Sequence, residues 1–366
     1  MRDFMPGVVV LTVMSLTAPA AWSQELGPVG PSPYEAVDGW LKPFDQGFTF
    51  GGNVSIAIDR PDRIFILQRG STRLPNPVPP GYEGYAGSIG MATQRGEGRV
   101  YRNVIFAVDR NGNMVEAWSQ WDHLFARADQ DVGVHRIRIS PYDPERRVWV
   151  IDESHHMIHV FSNDGTKHLM ALGEKGVSGN DETHFGRPQD VAFLPDGRVL
   201  VGDGLVNARV VVLDAEGTYL TEFGSEGTEP GQFQSVHGVT VARDGLVFVV
   251  DRDGRTVTLF RESSPGTSNF EPVDVWGGFE LPLDVLVSGD TVWVSDLGRP
   301  KVIKFDRNGN RLYTWFWPAE GRDRFREMHT MAVDADGNLY GSDNQLGRTQ
   351  KLVPRSGANP DLLIRP

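Results

Sequence analysis

The sequence predicts an all-β protein, a six-bladed β-propeller, and three observations carry that expectation. From about residue 50 onward one unit recurs six times: an apolar strand, a turn, a second apolar strand ending in Asp, a polar loop, a third strand, a glycine turn and a fourth strand. The turns are Asp-Gly or Asn-Gly pairs, residues that accept the positive φ of tight hairpins. The period, about 40–50 residues with four strands, is that of a propeller blade rather than an irregular sandwich.

The units follow in order along the chain. The first holds Ile56-Ala57-Ile58 and Ile64 to Leu67, then a long insertion before Val104 to Val108 and Asn111-Gly112-Asn113. The second holds Ile137-Arg138-Ile139, Val148 to Ile151, Asp152, Ile158 to Phe161 and Asn163-Asp164-Gly165. The third is the clearest, with Val191-Ala192-Phe193, Pro195-Asp196-Gly197, Val199-Leu200-Val201, Asp203, Val210-Val211-Val212 and Tyr219 to Phe223. The fourth runs from Val239 to Phe260, the fifth from Val285 to Gly309, and the sixth from Met331 to Asp343. An unpaired edge strand is a liability, so the ring is expected to close on the N-terminal segment of about 24–50, through the stretch near Trp40 to Phe50. One domain, residues 24–366, then accounts for the chain.

Composition sets the setting. Thirty-six Lys and Arg against 48 Asp and Glu give a net charge of −12, which offers no support for the basic surface a nucleic-acid partner needs, so no nucleic-acid partner is expected. There is no cysteine, so no disulfide contributes to stability. Residues 1–23 carry Arg2, an apolar run from Val8 to Leu16 and Ala21-Trp22-Ser23, the layout of a cleaved signal peptide. The apolar run is too short to span a bilayer comfortably. The expected product is a periplasmic or secreted monomer with no membrane attachment after cleavage.

The repeat phase exposes a site. His135, His237 and His329 hold the same position in units two, four and six, each before an inner apolar strand, while the intervening units carry Val54, Gln189 and Leu283 there. Alternate blades of a closed ring would then aim three imidazoles at the axis. Three histidines with an open fourth position are a catalytic zinc arrangement; calcium and magnesium prefer oxygen ligands. Fifteen residues further on, units one and four carry Arg69 and Arg252, and guanidinium forks clamp carboxylates in bidentate fashion. The expected ligand is a small carboxylate-bearing or peptidyl substrate.

These residues are similar to a known family. The units resemble NHL repeats, and the stretch from about 170 to 262 resembles peptidylglycine α-hydroxy-amidating lyase (peptidylamidoglycolate lyase). The similarity lies in Asn180-Asp181-Glu182-Thr183-His184-Phe185, Pro188-Gln189-Asp190-Val191-Ala192, Asp203-Gly204 with Asn207 and Arg209, Gly231-Gln232-Phe233, Val236-His237 and Val250-Asp251-Arg252, with Ile66-Leu67-Gln68-Arg69-Gly70 earlier. The resemblance implies a zinc-dependent carbon–nitrogen lyase that cleaves a peptidyl-α-hydroxyglycine to an amide and glyoxylate. It implies zinc on His135, His237 and His329 and active-site roles for Arg69 and Arg252. Two positions depart from the family. Its catalytic tyrosine follows the Asp-Gly of the third blade, where this chain has Leu205; its structural calcium uses an Asp after the third histidine, where this chain has Thr330. Without the phenol, His156 is the expected catalytic base, with His155, Glu153, Tyr82 and Tyr85 as further candidates. The insertion from about Thr72 to Gly98 is expected to act as a lid. A non-catalytic NHL propeller that binds a protein or peptide is the alternative reading, and a calcium-dependent propeller lactonase a third.

Overall fold

The computed structural model describes residues 27–43, 47–93, 99–127, 131–318, 320–321 and 324–365. The expected signal peptide, residues 1–23, lies outside the described residues. The chain folds into six blade sheets, each with four antiparallel strands; the fifth blade carries an added outer strand, Val29–Gly30, that runs parallel to Arg311–Phe316. Blade 1 comprises Asn53–Arg60, Arg63–Gln68, Ile105–Val108 and Met114–Ala117. Blade 2 comprises Val134–Ile139, Val148–Asp152, Met157–Phe161 and His168–Leu172. Blade 3 runs from Pro188–Phe193 to Tyr219–Phe223, blade 4 from Val236–Val241 to Phe270–Trp276, and blade 5 from Pro282–Ser288 to Arg311–Phe316. Blade 6 takes Thr330–Val333, Leu339–Asp343 and Arg348–Pro354 from the end of the chain. Each inner strand neighbours the next, and the sixth returns to the first, so the sheets form a closed β-propeller.

The strand that completes blade 6 is Tyr34–Ala36, which pairs antiparallel with Arg348–Pro354. It lies inside the expected N-terminal segment but ahead of Trp40. Phe48–Phe50, by contrast, pairs with Ser71–Arg73 in a small separate sheet at the start of the insertion. Trp40 still serves the closure, packing edge-on against Tyr340 at 5.2 Å.

The core is six slabs, one between each pair of neighbouring blades. Between blades 1 and 2, for example, Phe65 and Leu67 meet Val148, Val150 and Phe161. Between blades 5 and 6, Trp293, Val302 and Trp315 meet Met331, Leu339 and Leu352. This explains why the second strands are apolar throughout rather than alternating: both faces are covered. The Asp ending each second strand has a role as well. Asp203, Asp251, Asp296 and Asp343 are buried and accept backbone N–H groups from the loop leading into the inner strand of their own blade, at 2.6–2.8 Å for the shortest bond of each. In blade 1 Gln68 does the same for Gly51 at 3.1 Å. These bonds hold the loop from which the axial side chains emerge.

Candidate metal centre

Each inner strand of blades 1 to 5 opens with the same irregularity. Pairing with the second strand skips one residue, and the residues skipped are Val54, His135, Gln189, His237 and Leu283. A β-bulge leaves its extra residue unpaired and re-aims the side chain. His329 stands just before the inner strand of blade 6 and bonds to Ser342 O through its own N–H at 2.9 Å. The imidazoles therefore leave the ladder and meet on the axis, with ring centroids 4.8–5.2 Å apart.

The bulge residues without histidine complete the site. Nδ1 of His135 donates to the carbonyl of Gln189 at 2.6 Å, Nδ1 of His237 to Leu283 at 2.9 Å, and Nδ1 of His329 to Val54 at 2.7 Å. Each acceptor is the matching position of the next blade round the ring. A carbonyl can only accept, so Nδ1 carries the proton in all three rings and Nε2 keeps its lone pair. The rings are 2–3% exposed, and their ligand nitrogens lie within 4.8 Å of one another. Burial holds all three imidazoles well below their ordinary pKa, assisted by the charge of Arg136 and, for His135 and His329, by the neighbouring imidazoles. Three neutral acceptors facing one point, each with its other nitrogen fixed on a carbonyl, is the donor set a divalent transition metal takes. Among the described residues this trio alone could hold a metal.

The histidines share a cavity of about 300 Å³ with Arg69 and Arg252, so the expected arginine pair is assembled at the triad. Arg69 is buried; its Nε donates to Val134 O at 3.1 Å, and Nη2 stands 3.6 Å from Glu153. Arg252 is partly exposed, and its fork rests on the neighbouring Asp253 at 2.9 and 3.0 Å. Leu205 lines the cavity too, in company with Leu281 and Leu297, so an apolar wall stands where the family resemblance calls for a phenol.

The other base candidates are placed unequally. His156 does not line the cavity; it sits at φ 60°, and its Nδ1 accepts the Arg187 N–H at 3.0 Å, so it props the cavity wall from behind. His155 is tied to Asp152 at 2.6 Å. Glu153 does line the cavity but is held by Arg187 at 2.6 Å. Tyr85 lines a different cavity, with Trp40 and Arg348. No described residue of the insertion lines the histidine cavity. The insertion packs instead on the blade 6 loop, with Gly87 N–H bonded to Leu346 O at 2.9 Å and the Thr93 hydroxyl donating to the carbonyl of Asn344, itself a cavity residue.

Sequence reasoning missed three participants. Glu327 is buried in the cavity lining; Gln345 binds one oxygen at 2.9 Å while Oε1 has no partner. Burial, then the nearby Asp343, pushes its carboxyl up to about 7. Gln189 holds Arg187 O and Pro188 O through its amide nitrogen and leaves Oε1 unpartnered. Arg136, fully buried, bonds the carbonyls of His329 and Leu283. The position of Glu327 two residues before His329 was a local signal. Nothing in the repeat marks Arg136.

Fold and site together define a β-propeller with a candidate axial metal centre. No family model matches the chain. It is 29% identical over 213 residues to a probable peptidyl-alpha-hydroxyglycine alpha-amidating lyase of Caenorhabditis elegans, covering 56% of this chain and 51% of that one. It is 28% identical over 282 residues to peptidyl-glycine alpha-amidating monooxygenase B of Xenopus laevis, covering 71% of this chain and 30% of that one. The chain thus spans about half or less of these relatives. Among solved structures it resembles a streptogramin B lyase at a TM-score of 0.51 and 10% identity, covering 88% of this chain and 98% of that one. It also resembles a protein described as a gluconolactonase at a TM-score of 0.54 and 11% identity, covering 87% and 97%. At these identities the structural likeness shows the propeller fold alone.

Proposed function

We propose that the chain is a zinc-dependent lyase that cleaves an α-hydroxy-amide of the peptidyl-α-hydroxyglycine type to an amide and glyoxylate. The observation that carries this reading is the convergence of three Nδ1-protonated histidines in one cavity with Arg69 and Arg252. His135, His237 and His329 would hold the metal, which supplies Lewis acidity toward an oxygen ligand of the substrate. Arg69 and Arg252 bind the substrate carboxylate, which becomes that of glyoxylate. The Leu205, Leu281 and Leu297 wall excludes water, which strengthens these charge contacts. Breaking the C–N bond moves the hydroxyl proton, in net, to the amide nitrogen. Glu327 Oε1 stands ready to accept a hydrogen bond from the hydroxyl, a task that the placement of His156 does not suit. The substrate is a small carboxylate-bearing or peptidyl compound met in the periplasm or outside the cell, as the leader segment suggests. The test is to assay the purified chain for glyoxylate release from α-hydroxyhippurate while quantifying bound zinc. One zinc per chain, lost in His237→Ala, with glyoxylate formed, is expected. A folded, metal-free protein that forms none would sink the reading.

A further inference from the structure

The channel beside the triad carries its own cation. Arg136 is 0% exposed, an extreme position for a guanidinium. Its Nη1 donates to the carbonyl of His329 at 2.9 Å and its Nη2 to that of Leu283 at 3.0 Å. The Leu283 carbonyl is also the acceptor that fixes His237 Nδ1. One rigid fork thus spans blades 5 and 6 and touches the support of His237 and the main chain of His329. The charge is balanced by Asp190, 3.4 Å from Nε, and Asp284, 3.7 Å from Nη2. These carboxylates also bind Arg138, at 2.9 and 3.3 Å. Arg138 is the useful contrast, because its bonds run to the same two carboxylates and to neither histidine support.

We propose that Arg136 is a positioning residue for the metal centre, holding His237 through the Leu283 carbonyl and His329 through its own carbonyl. The planar fork suits this better than an ammonium, since two donors at fixed separation set two carbonyls relative to each other. The support of His135 is Gln189 O, and the hydrogen bonds of Arg136 run instead to the carbonyls of His329 and Leu283. This inference rests on the metal reading of the triad and not on the lyase reaction.

The test uses the full chain and compares zinc affinity, by competition with a chromophoric chelator, in wild type, Arg136→Met and Arg138→Met. Loss of a support behind metal-binding histidines weakens binding roughly ten- to hundredfold, so that loss is expected for Arg136→Met, with Arg138→Met staying within roughly threefold of wild type. Equal effects in the two variants, or none in either, would overturn the proposal. Nitrogen NMR of the metal-free protein gives a second readout. The Nδ1–H of His237 should lose its exchange protection in Arg136→Met while that of His135 keeps it; unchanged protection at His237 counts against the idea. Should Arg136→Met not fold, Arg136→Lys keeps the charge without the fork, and wild-type zinc affinity in that variant refutes the proposal. A wild-type chain that binds zinc but releases no glyoxylate removes the lyase reading and leaves this one standing.

Discussion

Arg252 is the most exchangeable charge in the cavity. Its fork is lent to Asp253, an exposed neighbour, and an exposed pair of that kind contributes little to stability. A substrate carboxylate can therefore take the fork at small cost. Arg252→Lys should lower kcat/KM by roughly ten- to hundredfold, chiefly through KM, because a single ammonium cannot make the bidentate contact. Melting temperature should stay near wild type, and a KM equal to wild type would argue against the clamp. A second residue makes a pH prediction. His159 is buried between Phe125 and His168, and burial first of all lowers its pKa to about 4. The unfolded chain binds this proton below about 6.5 while the folded one does not, so stability is full above that pH and falls as pH drops toward 4. The contribution is of order 3 kcal/mol across that window. His159→Gln should flatten the fall in melting temperature between pH 7 and 4; an unchanged slope would show that other groups govern it. At this scale the sequence was legible where a residue repeats with the blades. His135, His237, His329, Arg69 and Arg252 were found by phase. Glu327 and Arg136 occur once each and take their meaning only from neighbours supplied by other blades.

The elements show where phase reading fails. Strand alternation has a period of two, and a reader applying it strictly sends each axial histidine along the normal pleat. The bulges break that period at the head of the inner strand in blades 1 to 5, a defect visible only once pairing partners are known. The closing strand escaped for another reason. Tyr34-Glu35-Ala36 is three residues long and carries no alternation, whereas Trp40 to Phe50 is richer in apolar residues. What fixes the short strand is Tyr34 itself. It is buried against Trp315 at 6.3 Å, and its hydroxyl accepts the Ile364 N–H at 2.8 Å. Tyr34→Phe should cost about 1–3 kcal/mol by leaving that N–H without an acceptor, and Tyr34→Ala about 3–5 kcal/mol. Chemical denaturation measures both, and a Tyr34→Phe variant as stable as wild type would mean that the hydroxyl contributes nothing of its own.

At the scale of the whole molecule, a metal on the triad would join blades 2, 4 and 6 across the axis. Binding to the folded state alone raises stability by mass action, about 4 kcal/mol at a thousandfold excess over Kd. Zinc should therefore raise the melting temperature of the metal-free protein, a chelator should reverse the gain, and His329→Ala should abolish it. A melting temperature indifferent to zinc would leave the triad without a metal. The ring itself was the most legible level, because six slabs of core impose the same apolar demand on every blade.

His329 is steadied by Val54, a partner 275 positions away, at the seam where the last repeat meets the first. During synthesis the two earlier imidazoles can be braced as soon as blades 3 and 5 emerge, but the third has no brace until both ends of the ring have met. A chain cut before its sixth repeat would hold two histidines and no coordination site. Acquisition of the metal would then report that the protein had been made to completion and closed, so reactivity would be confined to finished molecules.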